Sequence, residues 1–194
     1  MVAVRDGGSQ KVFKQIYDID AEMSPDAVFL FGNHIMGNTK SSGIVCVPVS
    51  VQGKRIDGIV VENDVDFYHQ VIVNSLSTGD QVIFTATEAR DSKFTYELCS
   101  QINNKYGTHY KFKKYQDLSE FCKLIDGTRL VVSGRMHAMI LGLLYGCAPK
   151  AIPFKPKLST FAAEYSQCDN IENVVEETSR NFKEYAEMIS KAMT

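Results

Sequence analysis

The chain has 194 residues, 44% of them apolar and 23% charged, with a formal net charge of −2. That length and balance suit one globular domain, residues 1–194, with a full hydrophobic core, and they give no electrostatic reason to expect nucleic acid or an anionic surface as partner. No apolar run is long enough to span a bilayer, and the start of the chain lacks the basic-then-apolar layout of a secretory signal.

In chain order, residues 2–4 predict a short strand and 5–8 a turn into a helix from Ser9, with Val12, Phe13, Ile16 and Tyr17 as a core-facing stripe. Arg5, at a strand end, is by itself an ordinary solvent-facing charge. Asp26 follows Pro25 and precedes the apolar run 27–31, which makes it a turn or helix-capping residue. The Gly-, Asn- and Ser-rich stretch 32–43 reads as a long loop holding His34, a residue most simply solvated.

Residues 44–51 predict a strand in which Pro48 marks an edge position, a bulge or a strand end. A turn at 53–57 follows, then a helix from Asp64 carrying Val65, Tyr68, Val71, Ile72 and Leu76 and closed by Gly79. After a strand at 82–86, the loop 87–92 brings Glu88, Arg90 and Asp91 to a strand's carboxyl end, where they read first as a solvated charge cluster. A helix at 93–104, a strand at 110–112, a helix at 118–124 and a strand at 130–132 come next. This alternation defines a Rossmann-like α/β fold: a parallel sheet with right-handed crossovers and helices on both faces. One more strand is expected at 151–154, with 155–157 the turn at its end. A long amphipathic helix at 171–193 must cover this domain or reach a neighbouring domain or subunit, which leaves a homo-oligomer open.

The five cysteines, Cys46, Cys99, Cys122, Cys147 and Cys168, are scattered and odd in number. They lack Cys-x-x-Cys or zinc-ligand spacing, so they read as free, buried thiols in a reducing, cytoplasmic setting, and no metal site is expected.

The chemistry concentrates at 130–146. Leu130, Val131 and Val132 form an unbroken apolar run, Ser133-Gly134 break it, and a helix of small and apolar residues runs from Met136 to a stop at Gly146. Arg135 and His137 stand beyond the carboxyl end of a strand, where a helix N-terminus presents unpaired N–H groups. Such a turn suits an anion, with a guanidinium able to hold carboxylate or phosphate and an imidazole able to pass a proton. Singly, Arg135 is explained by a structural carboxylate and His137 by capping or packing. Together at one turn they point to function.

Ser133-Gly134-Arg135-Met136-His137-Ala138 resembles the Ser-x-Arg-x-His segment of the polysaccharide pyruvyl transferases. Three further segments fit the same comparison in order: Val4-Arg5-Asp6-Gly7-Gly8-Ser9, Pro25-Asp26-Ala27-Val28-Phe29-Leu30 and Ala151-Ile152-Pro153-Phe154-Lys155-Pro156-Lys157-Leu158. The likeness covers about residues 2 to 165 and is to the family's C-terminal half. It implies the Rossmann-like C-terminal lobe of a type B glycosyltransferase-like fold, with the N-terminal lobe missing from this chain.

The implied reaction moves a pyruvyl group from phosphoenolpyruvate to two hydroxyls of a saccharide or lipid-linked saccharide, forming a ketal in cell-surface polysaccharide synthesis. It would take place in the cytoplasm, at the inner face of the membrane. The resemblance gives Arg5, Ser133, Arg135, His137 and Lys157 to substrate binding and His137 with Arg135 to catalysis, His137 as general acid. It requires no cofactor or metal and leaves Asp26 structural. Two other classes stay open: the nucleotide-sugar-binding lobe of a glycosyltransferase, although no acidic pair follows a Gly-rich helix start to hold a ribose, and a non-enzymatic assembly module built on the 171–193 helix.

Overall fold

A strand buried along its whole length has no face to give to water, and two such strands set the centre of this protein. The computed structural model describes residues 3–4, 7–33, 42–165 and 170–192. In order, the elements are β1 (Ala3–Val4), α1 (Gly7–Tyr17), β2 (Glu22–Met23), a 3-10 segment (Ala27–Asn33), β3 (Ile44–Val47), β4 (Arg55–Ile56), β5 (Ile59–Val60), α2 (Asp64–Val73), β6 (Val82–Phe84), α3 (Ala89–Tyr106), β7 (Lys111–Phe112), α4 (Leu118–Ile125), β8 (Leu130–Ser133), α5 (Met136–Leu144), β9 (Ala148–Ala151), α6 (Pro156–Tyr165) and α7 (Ile171–Ala192).

Five strands form one parallel sheet in the order β7-β6-β3-β8-β9. Numbered by their own succession these are 3-2-1-4-5, the doubly wound Rossmann order, and the direction of winding reverses between β3 and β8. The two faces explain the composition of the strands. Ile44, Cys46, Val82, Phe84, Leu130 and Val132 pack on one side with Tyr68 and Ile72 of α2 and Leu98, Cys99 and Ile102 of α3. Val45, Val47 and Val131 pack on the other with Phe121 and Ile125 of α4 and Ala138 and Leu141 of α5. Each fully buried branched side chain contributes roughly 1.5–3 kcal/mol to such a core. A third cluster joins Phe29 of the 3-10 segment, Met139, Ile140, Leu143 and Leu144 of α5, Leu158 and Phe161 of α6, and Val175 of α7. The first part of the α7 stripe, Ile171, Val174 and Val175, thus turns back onto this domain, while Phe182 and Ile189 further along the helix are exposed.

Helix starts follow local chemistry. The Asn63 side chain accepts the Asp66 N–H at 2.8 Å to open α2, and Asp117 accepts that of Glu120 at 2.9 Å to open α4.

Several expectations are corrected. Of the three readings of Pro48, the strand end holds, since β3 is central and stops at Val47. The turn at 53–57 is part of an antiparallel hairpin, β4 with β5, reversed at Asp57 (φ 48°) and Gly58 (φ 83°), the pair of positive angles that an Asp-Gly turn supplies. Helix α2 ends at Val73, not near Gly79. Helix α3 begins at Ala89, so the loop before it is shorter than expected. The last strand is Ala148–Ala151, and residues 155–157 open α6 instead of ending a strand. The stripe on α1 is not core: Val12, Ile16 and Tyr17 are 49%, 65% and 61% exposed, and among the described residues no buried cluster includes a side chain of that helix.

Cys46, Cys99, Cys122 and Cys147 are free and buried. Arg5, His34 and Cys168 lie outside the described residues, as does most of the expected loop at 32–43. Among the described residues, no helix is long and apolar enough to cross a membrane.

Candidate active site

In an open parallel sheet the crevice lies beyond the carboxyl ends of the strands, where the winding reverses. Here that place is bounded by Val47-Pro48-Val49 after β3 and Ser133-Gly134-Arg135 after β8, strands paired from Ile44↔Leu130 to Val47↔Ser133. Ser133 shapes the turn from beneath. Its fully buried hydroxyl accepts the Arg135 N–H at 2.8 Å and has the carbonyls of Arg135 (3.1 Å) and Val47 (3.2 Å) within reach of its own proton. The Ser133 side chain therefore organises backbone and is not part of the cleft wall. Gly134 is required by crowding: a Cβ there would lie 2.5 Å from Val49 Cγ2 and 3.2 Å from the Phe154 ring.

Beyond this turn opens a cleft of about 330 Å3, lined by Arg135, Met136, His137 and Ala138 at the start of α5, by Thr87 and Glu88 after β6, and by Phe154, Lys155 and Lys157 at the start of α6. Arg135, at the N-cap of α5, makes no side-chain capping bond, so among the described residues the first turn of that helix has no cap from it, with the positive end of the dipole behind. Lys157 is exposed in the first turn of α6 and also borders a small adjoining cavity with Asp26 and Glu164. Lys155 stands over the Phe154 ring, 5.4 Å from its centre.

The guanidinium of Arg135 is gripped along two edges. Its Nε and Nη2 donate to Asp91 Oδ2 at 3.0 and 2.5 Å, and its Nη1 pairs with Glu88 Oε1 at 2.7 Å. The other Glu88 oxygen pairs with Arg90 Nε at 2.5 Å. Glu88 and Asp91 are therefore not a solvated cluster: α3 starts early enough to set both carboxylates against the end of β8, and the Asp91 side chain is only 16% exposed. His137 has a side chain 63% exposed, its Nε2 3.6 Å from Asp26 Oδ2, a charge-pair distance longer than a hydrogen bond. Asp26 is 13% exposed and fixed by its own turn, Oδ1 accepting the Val28 N–H at 3.1 Å.

The fold thus brings Arg135, His137 and Lys157 to one cleft, sets Ser133 under it, and adds four groups that sequence reading did not assign to the site. Glu88, Asp91 and Asp26 reach it from distant positions in the chain. Lys155 had a signal, since Lys-Pro-Lys follows an apolar run. Among the described residues no three His, Cys, Asp or Glu side chains are grouped to hold a metal ion.

The chain is a doubly wound α/β protein with cations and a helix N-terminus at its switch point, a setting whose chemistry suits an anion. A family model for polysaccharide pyruvyl transferases matches residues 1–149, most of the chain, which therefore belongs to this transferase family. The match takes in the segments around Arg5, Asp26 and Arg135 and stops short of the one that holds Lys157. No curated protein matches the sequence.

Proposed function

We propose that this chain binds phosphoenolpyruvate in the cleft and that its pyruvyl group passes to two hydroxyls of a saccharide or lipid-linked saccharide, giving a cyclic ketal and inorganic phosphate. The observation that carries this reading is the uncapped start of α5 opening on a cleft that also holds Arg135, His137 and Lys157.

The roles follow from charge. The N–H groups of α5 and the ammonium groups of Lys155 and Lys157 suit the donor's phosphate, the leaving group of the reaction. Arg135 suits its carboxylate, and Arg5 is a further cation by family resemblance. His137 delivers a proton to carbon 3, making the oxocarbenium-like centre at carbon 2 that the acceptor hydroxyls attack. Two C–O bonds form and the bond from carbon 2 to the phosphate oxygen breaks. Of the two hydroxyl protons, one ends on the new methyl group and one on phosphate. The donor is a soluble phosphorylated metabolite, which sets the reaction in the cytoplasm, at the inner membrane face for a lipid-linked acceptor.

Calorimetric titration with phosphoenolpyruvate tests the reading. Wild type binds, Arg135→Ala and Lys157→Ala lose about tenfold or more in affinity, and His137→Ala binds while losing transfer. Equal binding by wild type and Arg135→Ala would overturn it. A larger thermal shift from a nucleoside diphosphate sugar than from phosphoenolpyruvate would move the assignment to a glycosyltransferase lobe.

A further inference from the structure

Arg135 carries two carboxylates where one would balance it, and the two are held differently. Asp91 is nearly buried and takes the Nε and Nη2 edge. Glu88 is 37% exposed, lines the cleft, and meets only Nη1, while its second oxygen rests on Arg90, itself 72% exposed. A fixed counter-ion that aims the guanidinium needs the first arrangement. The second leaves on Nη1 a carboxylate that itself lines the cleft, with another cation already in contact to receive it.

We propose that Glu88 occupies the seat of the donor's carboxylate on Arg135 Nη1 and withdraws onto Arg90 when the donor enters. This rests on the donor-site reading above and adds to it an internal competitor that sets the affinity. Asp91 stays in place throughout, so the guanidinium keeps its direction while its free corner changes partner. A pair as exposed as Arg135 with Glu88 is weak, and a ligand anchored also by its phosphate displaces it readily. The competitor acts on the carboxylate alone, because the phosphate is held elsewhere, at the start of α5 and on the lysines. An anion without a carboxylate leaves Glu88 where it is.

The test compares phosphoenolpyruvate and inorganic phosphate as titrants of wild type, Glu88→Ala, Glu88→Gln and Arg135→Ala, each checked for native circular dichroism. Both Glu88 variants are expected to bind phosphoenolpyruvate about two- to fivefold more tightly than wild type, the equivalent of one exposed charge pair, with phosphate affinity unchanged. Phosphoenolpyruvate binding that is unchanged or weaker in both Glu88 variants overturns the proposal, as does an equal gain for phosphate, which would be a general charge effect. If Arg135→Ala loses the donor while the Glu88 variants gain nothing, the donor site stands and only the competitor falls. If wild type and Arg135→Ala bind the donor alike, both fall.

Discussion

Gly134 shows how much a single missing methyl group decides at this site. The turn after β8 passes so close to Val49 and Phe154 that any side chain must push one of them aside, and the same turn directs both the Arg135 guanidinium and the start of α5. Gly134→Ala is expected to cost about 1–3 kcal/mol of stability, measured by urea unfolding, and to weaken phosphoenolpyruvate binding beyond what the lost stability explains. A variant as stable as wild type would show that Val49 yields freely. Arg135 and His137 were legible in the sequence because a strand end, a glycine and a helix start stand next to one another in it. Their partners were not. Glu88 and Asp91 come from the start of α3, the helix that follows β6, and Asp26 from ahead of the 3-10 segment, so each pairing depends on which elements are neighbours, something local pattern does not encode.

At the scale of elements, the amino ends of three strands are tied by one carboxylate on the edge opposite the cleft. Asp80, ahead of β6, accepts the Gly43 N–H before β3 at 2.7 Å and the Ser77 N–H at 2.8 Å, and pairs with Arg129 before β8 at 2.5 Å, with its side chain 1% exposed. The Arg129 guanidinium, with the Ser77 and Gly43 N–H groups, holds the Asp80 carboxyl below its ordinary value of 3.8. A depressed folded value means that this stabilisation is complete above the unfolded value and is lost as pH falls through the folded one. Asp80→Asn is therefore expected to lose about 1–3 kcal/mol near neutral pH, the gap to wild type narrowing below about pH 4. Denaturation series at pH 7 and pH 3 check this, and an equal gap at both would refute it. Strand and helix types were largely readable from apolar runs and stops, whereas boundaries slipped where a cap had to be chosen. Helix α2 stops at Asn74 rather than at the more conspicuous Gly79, and α6 begins at Pro156, which suits the first helical position.

At the scale of the whole molecule, the four thiols among the described residues are buried in its packing. Burial pushes the Cys99 thiol up to about 11 and that of Cys147 up to about 12, and raises Cys46, in the central strand, further still. A thiol must ionise to react, so Cys46, Cys99 and Cys147 are expected to stay unmodified by an aromatic disulfide reagent at pH 8 in the native protein and to react fully in guanidinium. Peptide mapping by mass spectrometry reads the outcome, and rapid native labelling of any of the three would contradict it. The parallel α/β class followed from the alternation of elements, but the strand order did not, since any right-handed crossover satisfies the same pattern. The α1 stripe misled because amphipathic spacing tells which face is apolar and says nothing of what lies against it.

The clasp of α7 on the 3-10 segment has a temporal side. Val175 enters the same cluster as Phe29, three residues past the aspartate that faces His137. About three-quarters of the 194 residues lie between Phe29 and Val175, and a loop of that span closes late compared with any single helix. Every strand of the main sheet precedes Val175 in the chain, so the contact that completes the cluster next to Asp26 can form only after residues near Val175 have been made.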